Sequence, residues 1–543
     1  MLYAICVPKL NEGVFALDTS SKKPKKERLI HYANGRSLEE INGTVKVPTG
    51  KGFWRTLLAY SGPGALVAVG YMDPGNWSTS ITGGQNFQYL LMSIILISSL
   101  IAMLLQAMAA KLGIVSQMDL AQMIRARTSK ALGIVLWLMT ELAIMATDIA
   151  EVIGAAIALY LLFHIPLVIS VFITVFDVLL LLLLTKIGFR KIEAIVVALI
   201  VVIFVVFAYQ VALSDPNWGA AIVGLIPSAK TIAKGPVIGG ISPLTGSLGI
   251  IGATVMPHNL YLHSAISQTR QVDHNDEQQV ADTVRFTMWD SNIQLTVAFF
   301  VNALLLIMGV AVFKSGAVKD PSFFGLYQAL SDTSTMSNGV LASVARTGVL
   351  STLFAVALLA SGQNSTITGT LTGQVIMEGF VHMKMPLWLR RLVTRLISVV
   401  PVLICVGLTS RQSPVQQHEA LNDLMNNSQV FLAFALPFSM LPLLMFTNSK
   451  IEMGKRFTNH WYTQIAGWVA VLLLIGLNIY NLPAQIQAFF PAKSQAALSN
   501  TVSDLLIVAI IALLIWMVAD LYRGNKRYAA QLAEQEHAGA EAK

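Results

Sequence analysis

The chain has 543 residues, of which 55% are hydrophobic and only 12% charged, with a net charge of +8 and a mean hydropathy of +0.64. A soluble domain is about a quarter charged, so this composition excludes a soluble globular protein and points to an all-α polytopic membrane protein; the basic residues sit in short loops and the N-terminal stretch, a positive-inside pattern rather than a nucleic-acid surface. Cys6 and Cys405 form no CxxC pair, which excludes a disulfide framework and a thiolate metal site.

In chain order, residues 1–53 read as a polar, basic cytoplasmic tail. Met1 to Pro8 is too short an apolar run for a secretory signal, and the cluster Lys22, Lys23, Lys25, Lys26 and Arg28 follows it rather than preceding it. Apolar segments of spanning length then fall near 57–82, 88–111, 132–162, 166–185, 191–213, 246–269, 284–312, 347–371, 391–409, 427–447, 463–482 and 502–522, about twelve in all by the ~20-residue rule. An even number puts both termini on one side. Arg125, Arg127 and Lys130; Lys186, Arg190 and Lys191; Lys384, Arg390 and Arg391; and Lys450, Lys455 and Arg456 all fall between segments on that side, which makes it cytoplasmic. The other loops are poorer in cations, with Lys230, Lys234, Lys314, Lys319, Arg346, Arg411 and Lys493 scattered over longer stretches. The chain divides into a core over 54–450, two further helices within 451–522 and a C-terminal tail over 523–543.

Two of these segments are interrupted. Gly70-Tyr71-Met72-Asp73-Pro74-Gly75-Asn76 places a carboxylate, a helix breaker and an amide inside the first, and Met256-Pro257-His258-Asn259 interrupts the sixth. Proline removes a backbone donor and glycine tolerates non-helical dihedrals, so Pro74, Gly75 and Pro257 break their helices. Irregular backbone at membrane depth is tolerated where it lines a cavity or is buried in protein. A matched pair of broken helices, each opening a set of five, predicts a pseudo-symmetric 5+5 core, about 54–213 and 246–447, with a binding site at the repeat interface. Taken alone, Asp73-Pro74-Gly75-Asn76 also fits a loop turn.

Asp73 and Asn76 offer hard oxygens, and Met256 offers a soft thioether beside the second break. Oxygen alone suits Mg²⁺ or Ca²⁺, whereas a sulfur donor favours softer ions, so the mixed set points to Mn²⁺ or Fe²⁺. In the third segment Glu141, Asp148 and Glu151 fall on one side of a helix, within about 80° and about 15 Å. Such an acidic stripe suits a proton or ion pathway. For Glu141 the competing reading is a structural pair with an arginine, Arg390 or Arg391. His258 beside the break can carry a proton; His258 and His263 are five apart, about 140° around a helix, which excludes a zinc helix. Gly246, Gly249 and Gly252 read as a close-packing face. Asp273, His274, Asp276 and Glu277 read as a solvated loop, and Asn76-Trp77-Ser78 and Asn364-Ser365-Thr366 lie too deep to be glycosylated. No nucleophile triad or phosphate loop is present, so the chain is not read as an enzyme and needs no cofactor.

The blocks Asp73-Pro74-Gly75-Asn76, Met256-Pro257-His258, Ala146 to Gly154, and Ser361 to Thr370 continuing to Gln374 and Met377-Glu378-Gly379 resemble those of the Nramp divalent metal transporters, specifically the bacterial proton-coupled manganese branch. The resemblance implies a leucine-transporter-type fold, alternating access in the cell membrane, a divalent metal ion as substrate (Mn²⁺ or Fe²⁺, with Cd²⁺, Co²⁺ and Zn²⁺ as further candidates) and H⁺ as coupling ion. It assigns metal binding to Asp73, Asn76 and Met256, assisted by the Gly70 and Ala253 carbonyls, with Gln429 joining in one conformation. It assigns proton transfer to Asp73, His258, Asp148 and Glu151, with Arg390 and Arg391 matching the ninth-helix arginines; Glu141 and His263 are further candidates. The magnesium-transporting relatives lack this methionine. Gly70 stands where several relatives carry alanine, and since its carbonyl is the implied ligand, little consequence is expected. A sodium-coupled amino-acid carrier of the same fold and a passive divalent-cation channel are the alternatives, the first disfavoured because Asp73 would repel an organic carboxylate. No oligomeric state follows from the sequence.

Overall fold

The computed structural model describes residues 31–32, 37–47, 52–177, 189–313, 320, 322–331, 347–489 and 496–541. The basic cluster Lys22 to Arg28, Cys6, Lys186, Lys314, Lys319, Arg346 and Lys493 lie outside the described residues.

Both expected breaks are present. Helix α1 (Phe53–Tyr60) leads into α2 (Pro63–Gly70), the chain leaves helical geometry at Tyr71 to Asp73, and α3 (Pro74–Phe87) follows. After α4 (Met92–Ser116), α5 (Leu120–Arg127), α6 (Lys130–Phe163), α7 (Leu167–Ile173), α8 (Phe189–Leu213) and the short α9 (Trp218–Val223), the interruption recurs between α10 (Pro243–Thr254) and α11 (Pro257–Ile266). In each case proline takes the first helical position, where its missing N–H leaves no intrahelical bond unmade. The remaining helices are α12 (Glu277–Phe313), α13 (Phe323–Ser331), α14 (Val349–Val381), α15 (Leu387–Thr409), α16 (Pro414–Thr447), α17 (Lys450–Phe457), α18 (Trp461–Phe489) and α19 (Ala496–Glu541).

Among the described residues, eight stretches are long and apolar enough to cross a membrane by length and composition, α3 and α4 being counted as one run. The four other expected crossings fall short for identifiable reasons. Those at α2–α3 and α10–α11 are broken, α7 is described only to its first turns, and α14 carries the polar run Ser361 to Thr366. The half-helices are buried at the centre: α3 packs on α12, α10 on α16, and α6 on both α14 and α16.

Both terminal stretches carry structure of their own. Residues 37–47 lie along the bundle: the Leu38 amide donates to Glu378 Oε2 (2.8 Å), the Gly43 amide to the Gln268 carbonyl (3.1 Å) and the Gln271 amide to the Val45 carbonyl (2.9 Å). Strand β1 (His31–Tyr32) pairs antiparallel with β2 (Met383–Lys384). Leu38 is buried, which supplies the apolar contact that an otherwise polar stretch needs to dock. Beyond residue 522 the final helix continues without interruption to Glu541, with Tyr528 stacked under the Arg127 guanidinium at 3.4 Å.

Candidate metal-ion site

The first break is fixed by side-chain donors to two of its carbonyls, while the Asp73 carbonyl accepts from the Trp77 amide (3.2 Å). Asn302 Nδ2 donates to the Tyr71 carbonyl (2.8 Å), while Ser361 Oγ (2.6 Å) and Trp77 Nε1 (2.9 Å) donate to that of Met72. Asp73 caps α3, its Oδ1 accepting from the Asn76 amide at 2.8 Å. Its other oxygen, Oδ2, is buried with no partner, as are Asn76 Oδ1 and Gln429 Oε1. Pro74 and Pro257 stand four residues after Gly70 and Ala253, so neither of those carbonyls has the amide donor a continuous helix would supply. The spacing of the two prolines thus frees the same two carbonyls that the resemblance names.

Close approach of backbone to side chain joins the two breaks. A Cβ on Gly75 would strike the Gln429 side chain, and one on Gly252 would strike the Gln429 carbonyl, so α16 reaches both breaks only because these positions are glycine. The Pro74 ring fills the space beside Gly154 on α6. Asn259 packs against Gly70 and donates from Nδ2 to Met256 Sδ at 3.7 Å. The methyl of an alanine at position 70 would overlap the Asn259 amide, so that side chain would have to shift to admit it. Asp73 and Met256 are fully buried and Asn76 nearly so. Among the described residues no cluster of three His, Cys, Asp or Glu side chains could hold a metal; an ion here would be held by one carboxylate, two amides, a thioether and free carbonyls.

A second buried polar region lies between α6 and α15. Arg390 Nη2 contacts both Glu141 oxygens (2.7 and 2.8 Å), and Arg391 bonds Asp148 (2.5 Å), Glu151 (2.8 Å) and Asp177 (3.2 Å). Arg395 bonds Glu151 at 3.4 Å and also Asp177. Ser365 Oγ donates to Glu151 Oε1 at 2.6 Å. The expected arginine–acid pairing is present, although Arg390 and Arg391, read as loop cations, are themselves buried within α15. Three guanidiniums here face four carboxylates, so the cluster carries either one net negative charge or one bound proton.

The histidines divide. His258 is buried beside the second break with Nδ1 unpartnered. His263 reaches the first break through an intermediary: its Nδ1 meets Gln106 Oε1 (3.0 Å), and Gln106 Nε2 donates to the Tyr71 hydroxyl (2.8 Å). Polar contacts flank the breaks on both sides. On one, Asp290 Oδ2 accepts from the amides of Gly62 (3.2 Å) and Gly64 (2.8 Å) at the start of α2, and Arg270 pairs with Glu193 (2.7 Å) while donating to the Tyr60 and Ser61 carbonyls. On the other, the Ser78 hydroxyl lies 2.8 Å from Oδ1 of both Asn422 and Asn426, with one proton to share between them.

Asp177, Arg395, Asn259, Gln106 and Tyr71 belong to these networks and were not singled out from sequence. Arg395 had a signal, since it stands four residues after Arg391 and shares its helix face. Asp177 had one too, as a carboxylate within an apolar segment. Asn259 and Gln106 had none, because an amide in a membrane helix carries no charge to mark it.

The description "Natural resistance-associated macrophage protein-like", the Nramp family, matches residues 64–484. The chain is 56% identical to the divalent metal cation transporter MntH of Pediococcus pentosaceus over 452 residues, 83% of this chain and 97% of that protein. It is also 56% identical to MntH of Latilactobacillus sakei over 457 residues, 84% and 96% of the two chains. In structure it is similar to a manganese transporter of Eremococcus coleocola, with a TM-score of 0.85 and 66% identity, covering 90% of this chain and 100% of that one.

Proposed function

The chain belongs to the Nramp family, and we propose that it imports divalent transition-metal ions, Mn²⁺ first and Fe²⁺ with it, by proton-coupled alternating access across the cell membrane. Its relatives' names, manganese transporter and divalent metal cation transporter, support metal as the substrate. The observation that carries the reading is the set of unpartnered buried oxygens, Asp73 Oδ2, Asn76 Oδ1 and Gln429 Oε1, gathered where Pro74 and Pro257 leave the Gly70 and Ala253 carbonyls without donors. A buried carboxylate oxygen without a partner is costly. A cation repays that cost, and the Met256 thioether favours Mn²⁺ or Fe²⁺ over Ca²⁺ and Mg²⁺.

In this mechanism the ion arrives from outside when the α3–α16 contacts of Ser78 with Asn422 and Asn426 part. It exchanges water for Asp73, Asn76, Met256 and the two carbonyls, and Gln429 swings from Gly75 to complete the shell. Tilting of α2 and α11, with release of the Asp290 and Arg270 contacts, opens the inner side. The proton released or taken up at Asp73 passes by His258 or the α6 acids, where the unmatched fourth carboxylate offers a place to hold it. Both termini are cytoplasmic in this arrangement.

The test is Mn²⁺ uptake into proteoliposomes with and without an inward proton gradient and with a pH dye inside, wild type beside Asp73→Asn. Uptake with matching acidification, absent in the variant, is expected. Metal influx without proton movement would overturn the coupling, and absence of metal influx would return the organic-solute carrier to first place.

A further inference from the structure

A cavity of about 610 Å³ opens between α4, α12 and the turn joining α17 to α18, away from both helix breaks. Its wall is apolar, from Leu104, Met108 and Val284, but cations ring its mouth: Lys111, Arg285 and Arg456. The Lys111 ammonium bonds Asn459 Oδ1, whose amide is itself held by Thr447 and Asn448, so the lysine is aimed by a fixed turn rather than free in solvent. Neither Lys111 nor Arg285 has a carboxylate within ion-pair reach among the described residues. Arg456 meets Glu277 only at 3.6 Å, with both side chains about half exposed, a pair worth little. Of the other acids nearby, Glu452 is taken by Arg127 at 2.8 Å, and Asp282, three residues before Arg285, makes no ion pair among the described residues and accepts from Gln278 Nε2 at 3.3 Å. An excess of positive charge therefore faces an apolar hollow.

The level of the cavity in the bilayer is marked by aromatics. Trp289 and Tyr462 line it at 48% and 58% exposure, and Trp54 (72%) and Trp461 (73%) stand beside them. Exposed tryptophan and tyrosine at helix ends mark the headgroup zone. These helix ends lie on the side of Arg127 and the other cation-rich loops, the cytoplasmic leaflet in the orientation read above. Basic pockets between helices at that leaflet suit anionic headgroups.

The geometry points to a binding site for an anionic phospholipid of the inner leaflet, its phosphate held by Lys111, Arg285 and Arg456 and an acyl chain laid along Leu104 and Met108. A lipid here would tie α4 and α12 to α18, which joins the core to the two added helices through a ligand as well as through direct packing.

The experiment uses the purified full chain in detergent, titrated with dibrominated phosphatidylglycerol or dibrominated phosphatidylcholine while tryptophan emission is read. The component of quenching lost in Trp289→Phe reports the cavity. Phosphatidylglycerol is expected to quench that component at about fivefold lower mole fraction than phosphatidylcholine or better, and Arg285→Gln with Arg456→Gln is expected to erase the preference. Both arginines are exposed, so the double variant keeps its fold, checked by its elution profile. Equal quenching by the two lipids, or a preference that survives the double substitution, would overturn the assignment. Displacement of the brominated lipid by inorganic phosphate would overturn it as well, because the site would then be one for a soluble anion.

Discussion

Two buried polar regions lie side by side in this bundle, and they differ in one respect. Both hold buried oxygens without hydrogen-bond partners, Asp73 Oδ2, Asn76 Oδ1 and Gln429 Oε1 in one and Asp148 Oδ2 and Asp177 Oδ1 in the other, but between α6 and α15 every carboxylate meets a guanidinium, whereas Asp73 meets none among the described residues. Desolvation penalises both regions. The second offsets it within the protein, and the first does so only when something arrives. The difference separates a site that waits for a cation from a framework that holds helices and passes charge.

The sharpest way to break this comparison is Asp73→Ala. Uptake is expected to fall by about 100-fold or more, the scale of losing a direct charged contact, while the unfolding midpoint in detergent changes little, because relief of the buried unpaired oxygen offsets the ~0.5–2 kcal/mol lost with the cap on the Asn76 amide. A large loss of stability would show that Asp73 belongs to the framework instead. Arg391→Leu should do the reverse: stranding Asp148, and leaving Glu151 and Asp177 to Arg395 alone, is expected to destabilise by about 3–5 kcal/mol, with Asp148→Asn in the same chain recovering part of it, read by thermal unfolding.

Smaller effects refine the site. Met256→Ala keeps an oxygen-only set, so Mn²⁺ uptake is expected to persist at reduced rate while Ca²⁺ becomes an effective competitor; selectivity unchanged by the substitution would sink the thioether argument. Gly70→Ala should lower uptake by about tenfold or less, the ~1 kcal/mol lower end of the cost of an overpacked methyl, and Asn259→Gly should restore part of it.

The smallest effect concerns a buried carboxylate outside the membrane. Asp119, in the turn before α5, has its carboxyl pushed up to about 6 by burial, partly countered by the Gln122 amide it caps. Because its folded pKa is raised above the ordinary 3.8, its charged form weakens the fold above pH 6 and ceases to do so as pH falls towards 4. Asp119→Asn, which still caps the helix, should therefore raise the melting midpoint by a few degrees at pH 7.5, with the gain vanishing at pH 4.

What could be read from the sequence follows from how local each signal is. The breaks were legible because Pro74 and Pro257 act on the backbone wherever they stand, and the α6 acids because charge in an apolar helix is conspicuous. The pairing of Glu141 with Arg390 was legible as one of two readings. The placing of Gln429 against Gly75 was not, since it depends on how closely α16 approaches, and glycine permits an approach without announcing what makes it. The docking of residues 37–47 was hidden for a similar reason: the bonds run from main-chain amides to Glu378 and to the Gln268 carbonyl, and backbone groups leave no mark in composition.

The measurement that bears most directly on the account is anomalous scattering at the manganese edge from crystals of this protein grown or soaked with Mn²⁺. A single strong peak among Asp73 Oδ2, Asn76 Oδ1 and Met256 Sδ, absent from Asp73→Asn crystals, is the predicted result. A peak at the carboxylates of α6, or one at the breaks that persists without the Asp73 charge, would contradict it.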